Sequence, residues 1–110
     1  MVLSILPQDA AQLIQSGAVD VIDVRERNEW VTGHIAGARH APLSRFRATP
    51  KAYLQSDKIV FVCAAGARSQ LAAQLAIACG YKEVYNLVGG TRAWTGAGLD
   101  LLVPQEQAAG

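Results

Sequence analysis

The 110-residue sequence has no apolar run that approaches the roughly 20 residues needed to cross a lipid bilayer. It also has no run of basic residues, since ten Lys and Arg side chains against nine Asp and Glu leave a formal charge of +1. Domains that bind nucleic acid carry a clustered basic surface, so this balance argues against such a partner. Met1 to Pro7 contains no basic residue, which a secretory leader would need. We therefore expect a cytoplasmic protein that binds neither nucleic acid nor a membrane.

Cysteine is scarce as well, because Cys63 and Cys79 are the only two in the chain. Small domains that depend on disulfides usually carry more cysteines, so we expect both thiols to be reduced. No group of His, Cys and Asp residues has the spacing of a metal site. The glycines of Gly96-Ala97-Gly98 follow a helical pattern instead of a strand, so they give no dinucleotide-binding signal. The sequence predicts neither a metal nor a cofactor.

The remaining pattern is that of an α/β domain. Apolar β-branched runs predict strands at 2–5, 19–24, within 37–42, at 58–63 and at 83–87. Helical periodicity and punctuating glycines predict helices within 7–17, 25–30, 43–54, 69–80 and 91–97. This alternation implies a mainly parallel sheet with helices on both faces. We expect one domain over 1–110, with its core at about 4–101 and a flexible tail at 104–110.

Cys63 ends the most apolar of the predicted strands and is followed by a glycine-bearing loop and a helix. Ligands of parallel sheets bind at the carboxyl ends of the strands, and the free N–H groups that begin a helix favour anions. In such settings the pKa of a thiol falls from about 8.5 to between roughly 3.5 and 7.5. An arbitrary cysteine is more often a buried structural residue, but this position favours a nucleophile. Gly66 allows the loop to curl tightly, and Arg68 adds a positive charge beside it.

Four motifs in sequence order carry a resemblance to a known family over residues 4–101. They are Asp23-Val24-Arg25-Glu26; Glu29-Trp30 followed by Gly33-His34-Ile35-Ala36-Gly37-Ala38; Cys63-Ala64-Ala65-Gly66-Ala67-Arg68-Ser69; and Leu87-Val88-Gly89-Gly90 with Ala93-Trp94. The third is similar to an active-site loop of the form C-x-x-G-x-R-S. Together the motifs resemble those of the rhodanese homology domain, of the single-domain thiosulfate sulfurtransferase type.

The resemblance implies a rhodanese-like fold with a five-stranded sheet, and a double-displacement reaction in which Cys63 is the catalytic residue. A small-molecule donor such as thiosulfate would give its sulfane sulfur to Cys63, and a thiol or cyanide would accept it from the persulfide. The donor's anionic group and the terminal sulfur would be bound by the loop residues Ala64, Ala65, Gly66, Ala67, Arg68 and Ser69. Efficient users of thiosulfate in the family often carry further basic residues in this loop, where this chain has alanines. A low-molecular-weight persulfide, or the persulfide of a partner protein, therefore remains open as the donor.

Three charged residues within the motifs are assigned supporting or binding roles. We expect Asp23 and Arg25 to form an ion pair that supports the loop. Arg68 is assigned to the anion site, with positioning of the loop as its alternative.

Two other residues with reactive side chains are expected to be structural. The Gly-His-Ile context of His34 is typical of a packed, hydrogen-bonded histidine, not of an acid or base. Cys79 shares a helix face with Leu71 and Leu75 at four-residue spacing, so we expect it in the core.

Two other functions compete with sulfur transfer. Related phosphatases also place a cysteine thiolate in an amide cradle closed by an arginine, but they have one residue more between the two than the four found here. The smaller ring should accept a sulfane sulfur and exclude a phosphoryl group. The other rival is a non-enzymatic binding module or a persulfide carrier, and the presence of Cys63 argues against an inert module.

Overall fold

The computed structural model describes residues 1–104 and contains a five-stranded parallel sheet. In chain order the strands are β1 (Leu3–Ile5), β2 (Asp20–Asp23), β3 (Arg39–His40), β4 (Lys58–Val62) and β5 (Glu83–Leu87). They lie side by side in the order β1-β5-β4-β2-β3, and each neighbouring pair is parallel. The predicted sheet is confirmed. The tail predicted at 104–110 lies outside the described residues, except for its first residue.

The central strand β4 is buried on both faces. Ile59 and Phe61 pack into one apolar cluster, and Val60 and Val62 pack into a second cluster on the opposite face. A strand enclosed in this way needs apolar residues at every position instead of an alternating pattern, which is why the run is continuous.

Six helices in the described residues cover the two faces of the sheet. They are α1 (Pro7–Gln15), α2 (Arg27–Trp30), α3 (Leu43–Phe46), α4 (Pro50–Tyr53), α5 (Ala67–Ala78) and α6 (Gly90–Gly96). Ala10 of α1 and Trp94 of α6 belong to the cluster on the Val60 face, whereas Phe46 of α3 and Ala73 of α5 belong to the other. Helices therefore lie on both faces, as predicted. None of these helices is long and apolar enough to cross a membrane.

The buried face of α5 differs from the one predicted. Ser69, Ala72, Ala73 and Ala76 form the buried face of the helix, while Leu71 is 38% exposed. The prediction that Leu71, Leu75 and Cys79 form the core face is therefore wrong at Leu71, and the other two are only half-buried. The small side chains of Ala72, Ala73 and Ala76 let the helix lie close to the sheet. Leu71 and Leu75 lie outside this closely packed face of the helix. Cys79 ends the helix, where its N–H donates to the carbonyl oxygen of Leu75 at 3.1 Å.

The carboxyl ends of three strands meet at one edge of the sheet. Asp23 of β2 pairs with Val62 of β4, and Phe61 of β4 pairs with Asn86 of β5. Cys63, the residue after β4, is thereby placed between the ends of β2 and β5. This edge is where a parallel sheet binds its ligands.

Candidate active site around Cys63

Cys63 is held at the bottom of the loop that connects β4 to α5. Its side chain is buried, with 1% of the residue exposed. The backbone N–H of Gly66 donates to Cys63 Sγ at 3.0 Å, and Ser69 Oγ lies 3.2 Å from the same sulfur. Loop and helix start therefore curl around the thiol, as the sequence predicts.

The surroundings of Cys63 favour its thiolate. Burial by itself raises the pKa of the Cys63 thiol, because a charge loses hydration there. Hydrogen bonds from the Ser69 hydroxyl and from the backbone N–H groups of Ser69, Ala65 and Gly66 act in the opposite direction and outweigh it, so that the pKa is lowered. A lowered pKa increases the fraction of the nucleophilic form at neutral pH.

Gly66 gives the loop its turn. Its φ of +106° lies in the left-handed region, which other residues rarely adopt, and it caps the start of α5. Its carbonyl oxygen accepts hydrogen bonds from the backbone N–H of Gln70 at 3.2 Å and from Asn86 Nδ2 at 3.1 Å. The N–H of Gly66 is thereby held toward Cys63 Sγ.

The beginning of α6 supports the loop by hydrogen bonds to its backbone. The N–H of Thr91 donates to the carbonyl oxygen of Cys63 at 2.8 Å, and the N–H of Arg92 donates to that of Ala64 at 3.1 Å. Gly90 has a φ of +60°, and a Cβ there would lie 2.2 Å from the Cys63 carbonyl oxygen. Only glycine permits this approach of backbone to backbone.

The other predicted loop residues contribute backbone rather than polar side chains. Ala64 is half-buried, and Ala65 and Ala67 are exposed, so their side chains bring only methyl groups to the loop. Of the six predicted binding residues, Ala65, Gly66 and Ser69 hydrogen-bond to Cys63 Sγ. The role of all six in binding a donor stays a prediction.

Arg68 is already engaged by a carboxylate. Its Nη1 and Nη2 donate to the two oxygens of Glu29 at 2.7 and 2.8 Å, in a pair about one third exposed. The hydrogen bond from Arg68 lowers the pKa of Glu29 to about 2, and Glu29 in turn raises the pKa of Arg68. This geometry fits the alternative role for Arg68, in which it positions the loop.

Asp23 and Arg25 form the ion pair that the sequence predicts. Arg25 Nη2 donates to Asp23 Oδ2 at 2.9 Å and to the carbonyl oxygen of Gly33 at 2.7 Å, and both charged side chains are buried. The pair joins the end of β2 to the turn at Gly33. The pair therefore braces β2, the strand beside β4. Within residues 1–104, neither of its side chains makes a hydrogen bond to the side chain of Cys63.

In the part of the chain that the structure describes, the ring of His34 is held by stacking and not by a hydrogen bond at Nδ1. Its ring stacks on Trp30 with centroids 3.7 Å apart, and its backbone pairs with Leu102. Within residues 1–104, its buried Nδ1 has no hydrogen-bond partner. The predicted packing is confirmed, whereas the expected side-chain hydrogen bond is absent at Nδ1.

Sequence reasoning missed Asn86 and the role of Glu29. Asn86 lies in β5, where its amide group reaches Ser69, Gly66 and Gln70. Asparagine is depleted in strands, so an asparagine inside the predicted strand 83–87 was the available signal that this side chain has a particular role. Glu29 belongs to the second of the four motifs, but its partner Arg68 is 39 residues away. No local pattern connects the two.

Comparisons with known proteins agree on one family. The model of the Rhodanese-like domain matches residues 6–97. The thiosulfate sulfurtransferase GlpE of Pseudomonas aeruginosa is 37% identical over 90 residues, which cover 82% of this chain and 81% of GlpE. The "Putative sulfur carrier protein YrkF" of Bacillus subtilis is 37% identical over 79 residues, and the match spans 72% of this chain but only 43% of YrkF. The crystal structure of a rhodanese-related protein from Thermoplasma volcanium has a TM-score of 0.83 at 30% identity, with 93% of this chain and 99% of the other covered.

Proposed function

The chain belongs to the rhodanese-like domain family, and from that membership we propose that it is a sulfurtransferase that carries sulfane sulfur as a persulfide on Cys63. Sulfur carriage and sulfur transfer are also what the names of the two relatives YrkF and GlpE describe. The observation that carries the proposal is the set of donors around Cys63 Sγ, which comprises the Ser69 hydroxyl and the loop N–H groups. These groups favour the thiolate of Cys63, which is the form that the first displacement needs.

The reaction balances in two displacements. In the first, the Cys63 thiolate attacks the sulfane sulfur of thiosulfate, a new S–S bond forms, and the old one breaks with its electron pair leaving on sulfite. In the second, cyanide or a thiolate attacks the terminal sulfur of the persulfide, and the electron pair of the S–S bond returns to Cys63. The covalent intermediate divides one difficult transfer into two easier steps.

The loop favours a small persulfide as the natural donor over thiosulfate. Its three alanines bring no charge, and the Arg68 guanidinium is bound by Glu29 instead of facing an open anion site. We propose thiosulfate as a surrogate donor and a low-molecular-weight or protein-bound persulfide as the physiological one. Because this chemistry needs Cys63 as a reduced thiol, we also propose a cytoplasmic location.

Persulfide carriage without broad turnover is the second candidate, favoured by the similarity to YrkF. A carrier and an enzyme share the first displacement and differ in the second, because a carrier releases its sulfur only to a particular acceptor. The chemistry at Cys63 is the same in both.

The test is the production of thiocyanate from thiosulfate or an organic persulfide with cyanide as acceptor. We expect turnover by the wild-type chain and by Cys79→Ser, and none by Cys63→Ser. Cys79 is a matched control because it is the other thiol of the chain and lies at the far end of α5. Turnover by Cys63→Ser would overturn the proposal. Loading of Cys63 without release to cyanide would favour the carrier.

A further inference from the structure

The side chain of Asn86 has its orientation fixed by its partners. Asn86 Nδ2 lies 3.1 Å from the carbonyl oxygen of Gly66, and a carbonyl oxygen can only accept. The nitrogen must therefore face Gly66, and Oδ1 must face Ser69 Oγ, 2.5 Å away. Since an amide oxygen is also only an acceptor, the Ser69 hydroxyl donates its single proton to Asn86.

This arrangement decides which hydrogen bond Cys63 makes in the resting protein. Ser69 Oγ lies 3.2 Å from Cys63 Sγ, but its proton is already given to Asn86. A neutral Cys63 thiol can donate its own proton to Ser69 Oγ, which completes a chain from sulfur to Asn86. A thiolate has no proton to give and needs a donor. The Ser69 proton must then turn from Asn86 to the sulfur.

On the basis of the proposed function, we infer that Asn86 is a positioning residue that holds the Ser69 proton while Cys63 is uncharged and releases it when charge appears on Cys63 Sγ. Charge appears there twice, in the thiolate that attacks the donor and in the leaving group when the persulfide gives up its sulfur. Inside the persulfide, Cys63 Sγ is uncharged, and the Ser69 proton returns to Asn86. A donor that strengthens only when the sulfur is charged increases the thiolate fraction before the first displacement and stabilises the leaving thiolate in the second, without stabilising the persulfide equally.

The motion required is small. Rotation of one hydroxyl about its C–O bond moves the proton between two acceptors, without displacing the side chains. Without the Asn86 amide the loop still keeps one of the two hydrogen bonds to the Gly66 carbonyl oxygen, the one from the N–H of Gln70, and Gly66 remains the N-cap of α5. Removing the Asn86 amide should therefore change the proton's position more than the backbone's.

The test is a double-mutant cycle on the pKa of Cys63, in a Cys79→Ser background so that one thiol remains. The variants are Ser69→Ala, Asn86→Leu and their combination, with the pKa read from the pH dependence of alkylation by iodoacetamide. Arg68 and Glu29, the charged pair beside the loop, are unchanged throughout. Circular dichroism checks the fold, and Asn86→Ala replaces Asn86→Leu if that variant does not fold.

We expect the two single substitutions to shift the pKa in opposite directions. Ser69→Ala should raise it by about one unit, because the thiolate loses a donor. Asn86→Leu should lower it by about half a unit, because the Ser69 proton no longer has a competing acceptor. In the Ser69→Ala background, Asn86→Leu should have no effect.

A rise in the pKa with Asn86→Leu, no change, or the same shift with and without Ser69 would overturn the inference and leave Asn86 as a structural residue. The cycle does not require turnover, so it is separable from the proposed function. Sulfur loading is measured by mass on the same proteins. The expected pKa pattern without any loading would contradict the proposed function alone.

Discussion

At Cys63 two opposing effects act on the same sulfur. Burial disfavours the thiolate, and a full turn of donors favours it more. A thiol that is merely buried would be inert, and one that is merely exposed would lack the fixed donors. The loop N–H groups are in place before any charge appears on the sulfur, so they favour the thiolate without having to move.

Arg68→Ala should slow sulfur uptake from thiosulfate and from an uncharged organic polysulfide by similar factors, on the order of ten-fold. The reason is that the guanidinium is bound by Glu29 and orients the start of α5, so its loss displaces the loop for every donor. The measurement is the rate of persulfide formation with each donor, and Arg47→Ala is the control for loss of an exposed charge. A loss confined to thiosulfate would mean that Arg68 contacts the anionic donor directly.

Glu29 should contribute stability that depends on pH. Its pKa in the folded protein is about 2, against an ordinary value of 4.5, so the ion pair with Arg68 stabilises the fold above that ordinary value. The contribution is lost as the pH falls from about 4.5 toward 2. Since the pair is about one third exposed and screened by solvent, we expect it to be worth about 1 kcal/mol or less.

The measurement compares urea unfolding of the wild type and Glu29→Gln across this pH range. The difference in free energy of unfolding should be constant above about pH 5 and should close as the pH approaches 2. A difference that is unchanged at low pH would show that Glu29 does not act through its charge.

Among the elements, α6 packs through glycine backbone against the loop that precedes α5. The start of α6 lies so close to the Cys63 loop that Gly90 has no room for a side chain. Hydrogen bonds from Thr91 and Arg92 then fix the carbonyl groups of Cys63 and Ala64. The turn around the thiol is therefore held by two helices. One is α5, which follows the loop directly, and the other is α6, which lies further along the chain.

Gly90→Ala should destabilise the protein by roughly 3 kcal/mol, which combines a strained positive φ with a collision against the backbone of Cys63 and Ala64. Gly17→Ala is the matched control, because Gly17 has a φ of +77° and nothing lies within 4 Å of its missing Cβ. It should cost only about 1 kcal/mol. Equal losses of unfolding free energy in urea would mean that the close approach at Gly90 is not rigid.

The elements themselves could be predicted from the sequence because their signals are local. The apolar run that ends at Cys63 and the glycines that end helices both act within a few residues. The buried face of α5 could not be predicted in this way, since Leu71 and Ala72 are both apolar and only the neighbouring sheet decides which of them is covered. The contacts of Asn86 could not be predicted either, because its partner Ser69 is 17 residues away in the chain.

On the scale of the whole molecule, the strand order assembles the site. β4 lies between β2 and β5, so the ion pair that ends β2 and the amide of Asn86 in β5 are brought to either side of Cys63. Apolar clusters on both faces hold these strands in register, and the site occupies the edge where their carboxyl ends meet. Cys63 itself belongs to the apolar cluster on the Ile59 face, so the candidate site and the core share this residue.

The central claim is that Cys63 itself carries the sulfur, and the most direct measurement is the mass of the intact protein after exposure to thiosulfate or an organic persulfide. The wild type and Cys79→Ser should each gain the mass of one sulfur atom, cyanide should remove it, and peptide mapping should locate it on Cys63. Cys63→Ser should gain nothing. Cyanide-labile sulfur on Cys63→Ser, or its loss in Cys79→Ser, would contradict the account.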